Sequence, residues 1–167
     1  RLLVSFMDIQ YLMFAADVET QNCSNGVGMD AKAPAVMQVL PRLETGGVER
    51  GTIDITSALT AANRRAIVVS AGGSMVRAIK RAGGLHITLP VDSKNPLIMH
   101  NNISALTKII THYNVGLVHA RSRAPAWSAR SAAERTGVPF VTTFHGTYNY
   151  GNPVKKAYNA IMTKGDR

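Results

Sequence analysis

The chain has 167 residues, a formal net charge of +9 and one cysteine, Cys23. This length favours one domain with a real core, and the excess of cations favours phosphates, anionic lipid headgroups or nucleic acid over cationic substrates. The lone cysteine excludes an intrachain disulfide framework and a cysteine-rich zinc site, and it is compatible with a reducing compartment.

The first 34 residues differ in composition from the rest of the chain. Residues 2–16 are as apolar as a signal sequence, but two polar residues interrupt them and the run is too short to span a bilayer. Residues 17–32 are polar and glycine-containing without periodicity, which is typical of a linker. We therefore expect residues 1–34 to be a weakly ordered leader or linker, with Met29 as a candidate natural start. Residues 35–167 are then the folded domain.

A strand, a glycine pair and a helix open this domain. Residues 36–40 are apolar except for Gln38, a pattern typical of a strand buried on both faces of a parallel sheet. From Val48 the apolar residues recur at helical spacing. Gly46 and Gly47 join the two elements, so backbone N–H groups and the positive end of the helix dipole point beyond the strand. The pair either supplies only a tight turn or binds an anion.

Strands and helices then alternate to the end of the chain. The further predicted strands are residues 66–70, 85–89, 115–120 and 139–144, and the further predicted helices are residues 74–82, 99–113, 124–136 and 153–163. This alternation implies right-handed crossovers and a parallel sheet that is covered on both faces. We predict an α/β, Rossmann-like domain of three layers with a mainly parallel sheet.

The candidate functional residues lie in loops that follow the predicted strands, where ligands bind in such sheets. Arg121 and Arg123 follow the fourth strand and offer planar guanidinium groups to a phosphate or carboxylate. Lys94, after the third strand, is a weaker candidate. His145 directly follows the fifth strand and precedes a glycine that would let a substrate approach. For each residue the alternative is a structural or solvated role.

Three other kinds of site are not indicated by the sequence. The five histidines lack metal-ligand spacing supported by nearby carboxylates, so we predict no metal. The three-glycine fingerprint of dinucleotide binding is missing after the first core strand. Basic residues are dispersed over several elements without an aromatic stacking platform, which argues against nucleic acid as a partner.

Several ordered motifs resemble the amino-terminal domain of a family 4 glycosyltransferase, a retaining nucleotide-sugar enzyme of GT-B fold. They cover roughly residues 36–167 and are LPRLETGGVERGTIDITSAL, AIVVSAGG, LPVDSKNP, VHARSRAPAWSA and TGVPFVTTFHGTYN. The resemblance implies that two Rossmann-like domains enclose the active site, the first binding mainly the acceptor and the second the nucleotide-sugar.

The resemblance also implies roles for single residues. Gly46 and Gly47 match the glycine-rich loop that faces the donor diphosphate. His145 matches the catalytic histidine that contacts the donor sugar near the reacting carbon. The residues that would face the acceptor are Arg121, Arg123 and Lys94.

The implied reaction retains the anomeric configuration by attack on the face from which the phosphate departs, so we assign no protein nucleophile. The nucleotide-sugar is a co-substrate, no cofactor or metal is required, and the implied acceptor is a cell-envelope glycan or glycolipid of the lipopolysaccharide type. The donor-binding half has no counterpart in the sequence, so we expect the 167 residues to fold but to transfer nothing alone. The alternative is a non-catalytic Rossmann-like module that binds an anionic ligand.

A stripe of basic residues is predicted on the outer face of the helix at residues 74–82. Arg77, Lys80 and Arg81 recur there at three- and four-residue spacing. Family 4 enzymes often act on lipid-linked acceptors, so the resemblance implies a cytoplasmic protein with peripheral contact to an anionic membrane surface. The alternative is an ordinary solvated helix face.

Overall fold

The structure is a computed structural model that describes residues 33–143, 160–163 and 165. In this part of the chain, strands and helices alternate as the sequence predicts. The strands are β1 (Ala35–Val39), β2 (Ala66–Ser70), β3 (Leu85–Thr88), β4 (Val115–Ala120) and β5 (Phe140–Thr142). The helices are α1 (Gly47–Ala61), α2 (Val76–Arg81), α3 (Pro96–His112) and α4 (Arg123–Thr136), followed by a 3₁₀ turn, η1 (Ala160–Thr163). The leader predicted for residues 1–34 falls almost wholly outside the described residues.

The five strands form one parallel sheet in the order β3-β2-β1-β4-β5. The central strand is β1, whose Met37 pairs with Ile67 on one side and with Val118 on the other. Helices cover both faces. The predicted fold class, a Rossmann-like α/β domain with a mainly parallel sheet, is confirmed.

The alternation of side chains along β1 divides the core into two halves. Met37 and Val39 lie in the larger apolar cluster, together with Leu106 of α3 and Ala129 of α4. The alternate side chains point to the other face of the sheet, toward α1 and α2. On that face Leu40, just after β1, packs with residues of these helices. A strand with both faces covered by helices has no solvent-exposed face, which explains why residues 36–40 are apolar almost without interruption.

The edge strands are shorter than the sequence predicts. In β3 the last pair joins Thr88 to Ser70, the final residue of β2, and in β5 it joins Thr142 to Ala120, the final residue of β4. Each edge strand therefore ends where its one neighbour ends. Residues 153–159 of the last predicted helix lie outside the described residues. The described remainder is η1, whose Ile161 is buried in the larger apolar cluster.

The strand order reverses between β1 and β4, and this reversal locates the site. The connections from β1 run outward through β2 to β3 on one side, whereas β4 and β5 lie on the other side of β1. The loops after β1 and β4 therefore diverge at the carboxyl edge of the sheet. Ligands of open parallel sheets bind in the crevice that forms at such a point.

Candidate functional site

The amino end of α1 opens onto this crevice. Gly46 is the N-cap in an extended conformation, and no side chain caps the helix. Gly47 is the first helical residue and is exposed. A Cβ built on Gly47 would meet nothing within 4 Å, so the fold itself does not require glycine there. The first N–H groups of α1 are thus presented at a point where a ligand can approach the backbone closely.

A carboxylate of the protein itself lies at this helix end. Glu49 is in the first turn of α1, and its Oε2 occupies the position that a Cβ on Gly46 would need. Negative charge is stabilised beside the first turn of a helix by the unpaired N–H groups and the dipole. The side chain is flexible, so an incoming anion can displace it.

The loop from β1 to α1, residues 40–47, is called the glycine loop. It is held by backbone contacts with the loop after β2. The Leu43 N–H donates to the Gly72 carbonyl oxygen at 2.8 Å, and the Met75 N–H donates to the Leu43 carbonyl oxygen at 2.8 Å. The Glu44 carboxylate accepts hydrogen bonds from the Ser74 hydroxyl at 3.2 Å and from its N–H at 3.4 Å. The two carboxyl-edge loops are therefore connected by backbone and side-chain hydrogen bonds beside the amino end of α1.

Arg121 is turned inward, beneath α1. The residue is 6% exposed, and its Nη1 donates to Gln38 Oε1 at 3.0 Å. Its Nη2 lies 2.9 Å from the position of a Cβ on Gly51, so glycine at that position leaves room for the guanidinium. Burial lowers the pKa of Arg121 to about 10, opposed by the charges of Glu49 and Asp54. The structure therefore places Arg121 beside α1, and its predicted contact with the acceptor stays a prediction.

Gln38 connects Arg121 to α1. Its Nε2 donates to the Thr52 carbonyl oxygen at 3.2 Å and to Thr56 Oγ1 at 3.3 Å. Gln38, Thr52 and Thr56 are all fully buried. The only polar residue of the central strand is thus the middle of a buried chain of hydrogen bonds from the end of β4 to the inner face of α1. Buried polar groups that are connected in this way hold their elements in one arrangement.

The other two predicted cations lie elsewhere at the same edge of the sheet. Arg123 is the first residue of α4, which packs on the opposite face of the sheet from α1. Lys94 is exposed in the loop after β3. In that loop Asn95 Oδ1 accepts the Leu97 N–H at 2.9 Å and caps α3, while Asp92 pairs with Arg42 of the glycine loop at 3.0 Å. The loops after β1 and β3 are therefore also in contact.

The remaining candidate, His145, lies outside the described residues. The strand that leads to it ends at Thr142, and at its carboxyl end Thr143 Oγ1 contacts Nε2 of His119 on β4. Among residues 33–143, 160–163 and 165, no three His, Cys, Asp or Glu side chains are grouped as a metal site would require. In the same part of the chain, no helix has the length and apolar character needed to cross a membrane.

Comparisons with known proteins agree with the resemblance stated from the motifs. The sequence matches the profile of Glycosyltransferase Family 4 over residues 45–167. The solved structure of a glycosyltransferase from Rickettsia africae ESF-5 is 42% identical with a TM-score of 0.66, over 78% of this chain and 35% of that chain. The chain thus spans about a third of the length of that protein. A comparison with curated proteins gave no match.

More distant solved structures share little sequence with the chain. The calicheamicin glycosyltransferase CalG4 is 15% identical over 76% of this chain and 35% of that chain, with a TM-score of 0.49. A UDP-GlcNAc 2-epimerase from Neisseria meningitidis is 13% identical over 77% and 38%, with a TM-score of 0.48. Neither likeness carries weight beside the profile match, which takes in most of this sequence. By that match, the chain belongs to glycosyltransferase family 4.

Proposed function

We propose that this chain is the acceptor-side domain of a retaining glycosyltransferase. It would transfer a sugar from a nucleotide-sugar to a cell-envelope glycan or glycolipid of the lipopolysaccharide type. Family membership supports sugar transfer. The observation that carries the proposal is the uncapped amino end of α1, exposed at Gly47 where the strand order reverses.

The glycine loop is suited to a donor diphosphate. As the bond between the sugar and the diphosphate breaks, negative charge grows on the leaving group, and fixed N–H groups stabilise it without reorganisation. Gly46 and Gly47 place such groups at the open end of α1. The Glu49 carboxylate at the same point is the group that the diphosphate would replace.

The proposed sugar transfer needs no nucleophile from the protein. The bond from C1 of the sugar to the diphosphate oxygen breaks, and its electron pair stays on the diphosphate. The acceptor hydroxyl oxygen bonds to C1 on the same face, and its proton passes to the departing phosphate. The role of the protein is then to orient the two substrates and to stabilise charge.

The roles of the other residues follow from their places at the carboxyl edge. Arg123 and Lys94 are proposed to face the acceptor, where their charges suit phosphate or carboxylate groups. His145 is proposed as the catalytic histidine that contacts the donor sugar near C1. The sequence predicts that Arg121 faces the acceptor as well, but its guanidinium is buried and is suited to a different role.

A lipid-linked acceptor would bring the protein to a membrane surface. Arg77, Lys80 and Arg81 are all exposed on α2, while Ile79 on the opposite side is buried. Leu85, at the start of the neighbouring edge strand, is 41% exposed. We propose that this basic surface contacts an anionic membrane from the cytoplasmic side.

The decisive experiment measures sugar transfer by the full-length protein. The purified protein is incubated with a panel of nucleotide-sugars and with glycolipid acceptors from cell envelopes, and the configuration of the product is determined by NMR. We expect transfer with retention, and none from the 167-residue chain alone, since donor and acceptor must be held together. Tight nucleotide-sugar binding without transfer by the full-length protein would instead favour the non-catalytic anion-binding module.

A further inference from the structure

Arg121 and Gln38 form a buried hydrogen bond that stability alone does not explain. A guanidinium that is 6% exposed has lost its water, and its Nε is buried without a hydrogen-bond partner among the described residues. Burying a cation in this way costs free energy, which the neutral hydrogen bond to Gln38 and the charges of Glu49 and Asp54 offset only in part. An apolar side chain would fill the same space at lower cost.

The connection ends on the helix that carries the glycine loop. Gln38 donates to the Thr52 carbonyl oxygen and to Thr56 Oγ1, both on the inner face of α1. The Arg121 guanidinium lies against Gly51, one turn beyond Gly47. These contacts set the distance of α1 from the sheet and its rotation about its own axis. The distance and the rotation together determine where the first N–H groups of α1 point.

We propose that Arg121 and Gln38 are positioning residues that set the amino end of α1 for the donor diphosphate. The inference rests on the proposed function of the Gly46-Gly47 loop. Arg121 directly follows β4 and Gln38 lies in β1, so the position of the diphosphate site depends on both strands that border the crevice. Neither side chain touches the substrate.

The variant Gln38→Glu separates the two ends of the connection. A carboxylate accepts from Arg121 Nη1 more strongly than an amide oxygen does, but it has no N–H for the Thr52 carbonyl oxygen or for Thr56. The side chain stays paired with Arg121, but its hydrogen bond to the Thr52 carbonyl oxygen is lost and that oxygen then faces a carboxylate. The matched control is Thr60→Val, which removes the hydrogen bond from Thr60 Oγ1 to the Ala82 carbonyl oxygen, 2.7 Å, at the other end of α1.

The first measurement does not depend on activity. Relative to the other amides of the protein, hydrogen exchange of residues 51–56 should be faster in Gln38→Glu than in the parent protein, whereas Thr60→Val should cause no such local increase. Unchanged exchange in Gln38→Glu would overturn the inference at its structural step, because α1 would then be held without the amide N–H of Gln38.

The second measurement is steady-state kinetics of the full-length protein. We expect Gln38→Glu to raise the donor KM by about tenfold or more, since small displacements of binding groups have effects of this size, and to leave the acceptor KM within about twofold. Arg121→Met should do the same, with partial recovery in Arg121→Lys. Thr60→Val should lower stability without changing the donor KM.

Three outcomes are separated by adding Gly47→Val to the series. If Gly47→Val leaves the donor KM unchanged, the proposed diphosphate site is wrong and the inference falls with it. If Gly47→Val raises the donor KM while Gln38→Glu does not, only the positioning role is wrong. If Arg121→Met raises the acceptor KM instead, Arg121 contacts the acceptor and the inference is overturned.

Discussion

Gly73 lies against the main chain of Leu43, so that a Cβ on Gly73 would overlap the Leu43 carbonyl oxygen. The backbone of Gly73 also has φ +140°, a conformation that residues with a side chain rarely adopt. Leu43 in turn exchanges backbone hydrogen bonds with Gly72 and Met75. The loop after β2 therefore supports the glycine loop from below through main-chain contact.

We expect Gly73→Ala to lower the free energy of unfolding by about 3 kcal/mol or more, because backbone strain and overlap with a main-chain atom add together. The matched control is Gly72→Ala. Gly72 has φ +95° but nothing within 4 Å of its Cβ position, so strain alone should cost about 1–2 kcal/mol. Urea unfolding measures both values. Equal destabilisation by the two variants would mean that the Leu43 contact relaxes freely.

Substitution of Gly47 should reduce donor use without unfolding the protein. The Cβ position is open, so Gly47→Ala and Gly47→Val should fold and should increasingly obstruct the approach of a diphosphate. For Gly47→Val we expect kcat/KM for the donor to fall at least about tenfold, which corresponds to roughly 1.4 kcal/mol of barrier. Ala58→Val, at an exposed position of the same helix, controls for the lower helix propensity of valine. Unaltered kinetics in folded Gly47→Val would contradict a diphosphate site here.

His86 should make stability depend on pH. His86 Nε2 lies 2.8 Å from Ser70 Oγ, which also accepts the Gly72 N–H at 3.1 Å. A neutral imidazole with its proton on Nδ1 accepts a hydrogen bond from the Ser70 hydroxyl, whereas a protonated imidazole cannot accept one. Burial, and secondly the charge of Lys80, lower the pKa of His86 from the ordinary value of 6.5.

The direction in which stability changes with pH follows from proton binding to the folded and unfolded chains. Between pH 6.5 and the lower pKa of folded His86, the unfolded chain binds a proton that the folded chain does not, so the free energy of unfolding falls as pH falls. Denaturant unfolding between pH 7.5 and about 5 should show a larger loss of stability in the parent protein than in His86→Gln. Parallel pH profiles for the two proteins would exclude a lowered pKa.

The basic surface of α2 should bind anionic vesicles. Each cation near such a surface contributes about 1 kcal/mol, so neutralising Arg77, Lys80 and Arg81 to Gln should weaken binding by about a hundredfold. The matched control neutralises three exposed cations on three other helices, Arg50, Lys108 and Arg135, and changes the net charge equally. Co-sedimentation with vesicles of neutral and of anionic lipid measures the effect. Equal losses in both triple variants would show that only net charge matters.

The sequence predicts the bounds of β2 and β4 better than those of the edge strands. The bounds of β2 and β4 agree with the prediction to the residue, and both strands pair on two sides. The central strand β1 begins and ends one residue earlier than predicted, at Ala35 and Val39. At the edges, Leu89 and Phe144 continue the apolar pattern, but the neighbouring strand has already ended. Pairing, which the local pattern does not contain, decides where β3 and β5 stop.

The direction of a loop side chain is harder to predict than its place in the sheet. Arg121 was expected at the carboxyl end of β4, where the structure has it. Its inward turn depends on the space at Gly51 and on the amide of Gln38, which are 70 and 83 positions away in sequence. The sequence feature that could indicate a buried partner for Arg121 is Gln38, a polar residue in a strand with no solvent-exposed face. A buried amide there requires partners, and Arg121 and Thr52 are among them.

The pairing of β1 with β4 has a consequence for biosynthesis. Val36 pairs with Leu117, 81 residues later (117 minus 36), whereas its other partner, Ala66, follows after 30 (66 minus 36). At a synthesis rate of about 5–20 residues per second, roughly 4–16 s separate the first residue of this pair from the second. Throughout that interval one edge of β1, with its unpaired N–H and C=O groups, has no strand beside it. Native pairing is then slow to complete, and the emerging chain offers this edge to chaperones, or to another copy of itself.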